Sequence, residues 1–194
     1  MSRVEDPRVD AATMDDLDAV AELWVDLARG QQRHGSTLLA GANREAAREW
    51  VARGIVTGEL LVARPDRDAD PDGDDLELLG FVGFSLERGG YERDHTRGTV
   101  SNLYVRPERR GEGIGAALLA AAEAALADAG AEAVALEALV DNERARAFYT
   151  DHGYEPTRIE FGKPLGDGTE EGGPEKNGTE KDETKRDGTE NRGG

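Results

Sequence analysis

Residues 106–116 read Arg-Pro-Glu-Arg-Arg-Gly-Glu-Gly-Ile-Gly-Ala, with glycines at 111, 113 and 115 directly behind an arginine pair. Glycine lets backbone amides approach an anion with no Cβ in the way. A helix starting there adds unpaired N–H groups and a partial positive charge. Arg109 and Arg110 contribute full positive charges in a chain of net charge −17. Together these residues suit a cradle for a phosphate or pyrophosphate. A glycine-rich turn is a weak signal by itself, and Gly111-x-Gly113-x-x-Ala116 also fits a dinucleotide fingerprint. Three features argue against that rival. The turn comes late in the chain, no acid sits cleanly at the end of the next strand about 20 residues on, and the arginine pair abuts the glycines. The plain structural alternative is a tight strand-to-helix turn with no ligand.

The second segment is Asp141-Asn-Glu-Arg-Ala-Arg-Ala-Phe-Tyr-Thr-Asp-His-Gly-Tyr154. Asn142 and Tyr149 are two helical turns apart and so share a face, with the small Ala145 between them leaving room for a ligand. The plain reading makes Asn142 an N-cap and Tyr149 a core aromatic. Other chemistries are excluded. There is no Cys, so thiolate nucleophiles, disulfides and Cys-ligated metals are absent. His34, His95 and His152 have no metal-ligand spacing, and no metal is expected.

The elements that must position these segments alternate in type. Arg8–Ala12 suits a short strand. Thr13 reads as an N-cap with Asp15 and Asp16 in the first turn, followed by an amphipathic helix over Met14–Arg29. Asn43–Arg53 is a second helix. Glu59–Arg64 is a strand, Pro65–Asp75 an acidic turn-rich loop, and Leu76–Glu87 a hairpin arm in which Gly80 and Gly83 mark weak points or bulges. Gly98–Val105 is a strand and Gly113–Ala129 a helix ended by Gly130. Ala133–Val140 is a strand, Asn142–His152 a helix ended by Gly153, and Tyr154–Lys163 a terminal strand or hairpin. The pattern predicts an α/β (mixed α+β) fold over residues 1–165, a mixed sheet with helices on both faces. Gly166–Gly194 contains no Val, Ile, Leu, Met or aromatic residue and repeats Gly-Thr-Glu after Asp167, Asn177 and Asp187. That composition predicts a disordered acidic tail.

Charge sets the expected setting. Asp and Glu total 41 against 24 Lys and Arg, and every Lys lies at position 163 or later. An acidic, Arg-over-Lys surface is the bias of proteins from salt-loving cells, where the Debye length is about 3 Å at molar salt and self-repulsion is screened. A GC-rich genome would give the same preference for Arg. Such a surface disfavours nucleic acid and anionic membranes as partners. No signal peptide or span of about 20 apolar residues is present, which predicts a cytoplasmic location.

Taken together, the two segments resemble the GCN5-related N-acetyltransferase (GNAT) family. Its pyrophosphate signature is matched by Arg110-Gly-Glu-Gly113-Ile-Gly115. Its next motif is approximated by Asn142, Ala145, Phe148, Tyr149, Gly153 and Tyr154, and Leu103-Tyr-Val105 before Pro107 also fits. The resemblance implies a mostly antiparallel sheet of about six to seven strands with a splayed central pair between Leu103–Val105 and Leu136–Val140. It implies acetyl-CoA as co-substrate, bound along Leu103, Tyr104 and Val105 by strand-like pairing with the pantetheine arm. The pyrophosphate would lie on Arg110, Gly111, Gly113, Ile114, Gly115 and Ala116, with Asn142 on the pantetheine. Tyr149 would be the general acid, and a backbone amide near Leu103–Val105 would stabilise the oxyanion. The implied function is transfer of the acetyl group to a primary amine of a small molecule or peptide by direct attack. The alternative is a non-catalytic acyl-CoA-binding sensor or interaction module. The strand before the cradle carries no acid, so Glu87, Glu137 or a bridging water is left as base. The acceptor site is expected at the first two helices and the Arg88–Arg97 loop, where Glu87, Glu92 and Asp94 would suit a cationic amine. A homodimer remains possible.

Overall fold

The computed structural model describes residues 7–65, 77–87, 94–163 and 165. By its contacts the chain divides into Met1–Pro156 and Thr157–Gly194. In the first unit, β1 is Arg8–Ala11, α1 Leu17–Gln32, α2 Arg44–Thr57, β2 Leu60–Arg64, β3 Gly80–Leu86, β4 Arg97–Val105, α3 Ile114–Asp128, β5 Ala133–Leu136 and α4 Glu143–Asp151. The strands form one sheet in the order β1-β2-β3-β4-β5. All neighbours are antiparallel except β4 and β5, whose parallel pairing follows from the α3 crossover between them.

Strand alternation sends side chains to two cores. Leu60, Val62, Phe81 and Tyr104 pack with Val20 and Leu23 of α1 and Val51 of α2. Ala63, Val82, Phe84 and Val100 pack with Leu118, Ala122 and Leu126 of α3. Val100 and Tyr104 lie an even number of residues apart yet face opposite cores. The reason is a bulge: Gly83 pairs with Asn102 and Phe84 with Val100, leaving Ser101 as the extra residue of β4. The Ser101 hydroxyl donates to the Gly83 carbonyl at 3.2 Å. The glycine expected to mark a bulge thus lies opposite one. Gly83 also has no room for a Cβ, because the Trp50 ring occupies that space.

The bulge explains where the sheet opens. Bulges bend and re-aim a strand. The β4–β5 ladder runs from Arg97↔Ala133 to Val100↔Leu136 and stops at the bulge, whereas β4 stays paired with β3 as far as Val105. Ser101–Val105 therefore has no β5 partner, which is the expected splay.

Several expected bounds change. The sheet has five strands among the described residues rather than six to seven. Strand β5 ends at Leu136 rather than Val140 because its partner has turned away. Residues 154–163 form no strand. Pro156 offers no N–H to a ladder, and Ile159 and Phe161 are exposed. Helix α1 is preceded by a 3-10 turn at Met14–Asp16 and continues to Gln32, and α2 continues to Thr57, where Gly58 in the left-handed region ends it. Leu76, most of the 65–75 loop and the 166–194 tail lie outside the described residues. Among the described residues no helix is long and apolar enough to cross a membrane.

Asp16 anchors α1. It is 2% exposed. Its carboxylate accepts from the Thr13 N–H at 2.8 Å and from Arg64 of β2 at 2.7 Å. Burial alone would raise its pKa, but these donors outweigh it and hold the carboxyl below its ordinary 3.8.

Candidate functional site

Where β4 leaves β5, a cleft of about 950 Å³ opens. Ligand pockets run to roughly 300–1,000 Å³, so an extended ligand fits. Its walls are the C-terminal half of α1, the end of β4 with the loop after it, the first turn of α3, and one face of α4.

The cradle residues come together on this cleft. Gly111 and Gly113 have φ of 90° and 84°, a region L side chains rarely adopt. Glycine is therefore required by the backbone at both. The Ala117 N–H donates to the Gly113 carbonyl at 3.0 Å, so the amides of Ile114, Gly115 and Ala116 precede the first helical bond. Gly113, Gly115 and Ala116 line the cleft and Ile114 is buried beneath it. The two arginines differ in use. Arg109 Nε donates to Glu112 within the same loop at 2.9 Å, which neutralises it. Arg110 Nε donates to the Val105 carbonyl at 3.0 Å, and its guanidinium lies 5.8 Å from the centre of the Tyr104 ring.

That Arg110 bond also reports on β4. The Arg106 N–H donates to Leu79 on the β3 side, so the Val105 carbonyl, one residue back, faces away from β3. Alternation turns the backbone groups of Leu103 to the same open edge. The side chains of Leu103 and Val105 face the α3 core and that of Tyr104 the α1 core.

On α4, Asn142 is the N-cap, and its side-chain oxygen accepts from the Ala145 N–H at 3.1 Å. The capping role read as the plain alternative is thus present, while the residue also lines the cleft. Tyr149 lines the cleft and packs edge-on against Phe148 and Tyr154 at centroid separations of 5.3 and 5.9 Å. Burial raises its pKa above the ordinary 10.0. The Tyr154 hydroxyl is instead committed, donating to Glu123 at 2.7 Å.

Glu87 and Glu137 do not line the cleft. Glu87 accepts from Arg97 and Thr99 at the far end of β4, and Glu137 is exposed just past β5. Asp94 does not line it either, and Glu92 lies outside the described residues. What residue patterns did not single out is the α1 wall: Asp26, Arg29, Gly30, Arg33 and His34. His34 reaches across, its Nδ1 lying 3.1 Å from the Asp141 carbonyl before α4. Among the described residues six arginines line the cleft (29, 33, 106, 109, 110 and 144) against two acids, Asp26 and Glu108. Acids outnumber Lys and Arg by 41 to 24 in the whole chain, so the cleft reverses the sign of the protein.

Comparison with known proteins converges on one family. The model of the Acetyltransferase (GNAT) family matches residues 59–154. The chain is 34% identical over 100 residues to aminoglycoside N(6')-acetyltransferase type 1 of Stenotrophomonas maltophilia, covering 47% of this chain and 62% of that protein. It is 38% identical over 91 residues to aminoalkylphosphonate N-acetyltransferase of Salmonella typhimurium, covering 46% and 57%. The chain thus spans about three fifths of the length of these curated relatives. Among solved structures, a GCN5-related N-acetyltransferase from Ralstonia eutropha JMP134 superposes with a TM-score of 0.63 at 26% identity, covering 82% of this chain and 98% of that one. A transcriptional regulator from Bacillus halodurans C-125 gives 0.62 at 17% identity over 82% and 99%, a likeness of fold alone.

Proposed function

Because residues 59–154 belong to the acetyltransferase (GNAT) family, whose members use acetyl-CoA as co-substrate, we propose that this chain moves an acetyl group from acetyl-CoA to a primary amine of a small molecule. The observation that carries the reading is the pair of positive-φ glycines, 111 and 113, opening α3 where β4 parts from β5. The relatives' names point to small amines, an aminoglycoside in one and an aminoalkylphosphonate in the other. A peptide amine is a further acceptor class under the same reading. The cytoplasmic, salt-adapted setting belongs to this proposal too.

The residues present fit the co-substrate. Amides from Gly111 to Ala116 would hold the pyrophosphate, assisted by Arg110. The outward backbone groups of Leu103 and Val105 would pair with an extended arm, and the Asn142 amide group would add a donor. Acetyl-CoA supplies an activated thioester carbonyl. A neutral amine forms the C–N bond as the C–S bond breaks, losing a proton while the sulfur gains one. Tyr149 holds the proton for the sulfur, since its raised pKa keeps the phenol protonated at every ordinary pH. The amine's proton leaves through water. Glu87 is tied to Arg97 and stands outside the cleft lining, which favours water over it in this role.

The test has two stages. Melting of the full chain, from low to molar salt, is followed with CoA, acetyl-CoA and NAD. At a hundredfold excess over Kd a ligand adds about 2.7 kcal/mol. Stabilisation by both CoA species and not by NAD is expected; stabilisation by NAD alone overturns the reading. Thiol release with an amine panel then separates a transferase from a non-catalytic acyl-CoA sensor.

A further inference from the structure

Resting on the acetyl-transfer reading, we propose that the acceptor is a small amine that also carries an anionic group, a carboxylate or phosphonate, and that Arg33, the residue capping the C-terminus of α1, binds that group. Helix α1 packs on the face of the sheet opposite α3 and its cradle. Asp26 and Gly30 lie one turn apart on one face of α1, His34 lies in the turn just past its end, and all three line the cleft. A Cβ on Gly30 would meet no atom within 4 Å. Glycine inside a helix costs about 1 kcal/mol relative to alanine, and no neighbouring protein atom requires it here. The space it leaves belongs to the cleft, between the Asp26 carboxylate and the His34 ring.

The arginines of the cleft are not equivalent. Arg29 is paired with Asp26 at 2.5 Å and Arg109 with Glu112 at 2.9 Å. Arg106 and Arg110 donate to the carbonyls of Leu78 and Val105. Arg144 likewise has no partner among the described residues, but it stands on the α4 wall of the cleft rather than on the α1 wall. On the α1 wall that leaves Arg33, whose guanidinium has no partner among the described residues. The neighbouring His34–Asp141 contact holds the Arg33 end of α1 against the lead-in to α4. On this wall the Asp26 carboxylate is already engaged, and an unmatched positive charge stands beside open space. That separates the two kinds of amine raised above. A polycation would be repelled by Arg33 and find no free acid on the wall. An amine bearing an anion would be attracted, because charge-assisted bonds from a guanidinium fork suit carboxylate and phosphonate oxygens.

The test compares β-alanine, aminoethylphosphonate, propylamine and an aminoglycoside as acceptors for the full chain with acetyl-CoA. Calorimetric binding of aminoethylphosphonate to the CoA-saturated protein runs alongside. The anionic amines should exceed propylamine in kcat/KM by about tenfold or more. Arg33→Ala should remove that margin through the acceptor KM and abolish the calorimetric signal, while leaving the KM for acetyl-CoA unchanged. Arg33→Lys should restore part of it. The ratio between β-alanine and aminoethylphosphonate identifies which anion the site favours. The proposal is overturned if propylamine or the aminoglycoside matches the anionic amines. It is also overturned if Arg33→Ala weakens acetyl-CoA but not its dephospho form, which would assign Arg33 to the ribose phosphate. Failure of every amine to release thiol would sink acetyl transfer alone. Calorimetry would still decide the anion site, since binding that survives Arg33→Ala, or no binding, refutes it.

Discussion

The two walls of the cleft are built from different materials. The α3 wall is backbone: positive-φ glycines at 111 and 113, unpaired first-turn amides, and the open edge of β4. The α1 wall is side chain and space: an engaged Asp26, a helical Gly30, an Arg33 with no partner among the described residues, and a bridging His34. A ligand gripped by backbone constrains residue identity through φ and sterics, and those constraints hold whatever else the chain does. A ligand gripped by side chains constrains only a charge and a volume, and many surfaces offer both. If the contrast is functional, changes on one wall should move co-substrate behaviour and changes on the other acceptor behaviour.

The largest effect tests the chemistry both walls serve. Tyr149→Phe removes the proton proposed to serve the sulfur. Acid–base contributions run to about 10²–10⁴-fold, so kcat should fall within that range while CoA-induced stabilisation is retained. Unchanged turnover would remove Tyr149 from the mechanism, and lost CoA binding would make it part of the α3 wall's packing.

The next effect separates the walls by stability. Asp16 fixes the start of α1 to Arg64 of β2 and touches nothing in the cleft. Asp16→Ala leaves Arg64 short of a buried partner and should cost about 3 kcal/mol in chemical denaturation. Below the melting transition the acceptor KM should rise through displacement of α1, with CoA affinity unchanged. The pH dependence has a definite sign. The folded carboxyl sits below 3.8, so its contribution is full above the unfolded pKa and is lost as pH falls through the folded one. The gap in stability between wild type and Asp16→Ala should therefore narrow only in strong acid, below about pH 4. Narrowing near neutrality would refute the assignment.

These differences explain what could be read from residues alone. The cradle was legible because each glycine there answers to a dihedral angle or a close approach. The opening beside β4 was expected only through family resemblance. Its cause, the extra Ser101 opposite Gly83, leaves no periodicity signal, because a one-residue insertion reads as ordinary strand. The same blind spot made β5 look four residues too long, since Glu137–Val140 continues the strand without a breaking Gly or Pro but has no neighbour to pair with among the described residues. Glu87 and Asp94, expected to suit a cation, stand outside the cleft lining for another reason. In a chain so rich in carboxylates their presence near a site is uninformative, and the tie from Glu87 to Arg97 depends on strand register. Arg33 was invisible because its distinction is lacking a partner among the described residues, a property of three-dimensional neighbours.

Two glycines give the smallest effects and the sharpest test of the contrast. At Gly113, φ is 84°. Gly113→Ala should cost about 1–2 kcal/mol through left-handed strain, and it should weaken CoA binding because the strained turn carries the cradle amides. Gly30 has helical geometry and open space beyond its Cα. Gly30→Ala should stabilise the fold by up to about 1 kcal/mol, yet lower kcat/KM for the acceptor, because the methyl occupies cleft volume between Asp26 and His34. Stability and function then move together on the α3 wall and in opposite directions on the α1 wall. A helix that tolerates a stabilising alanine but carries glycine keeps that space for something outside the protein. If Gly30→Ala gains stability with acceptor kinetics unchanged, Gly30 is merely a weak helix residue and the α1 wall is surface rather than site.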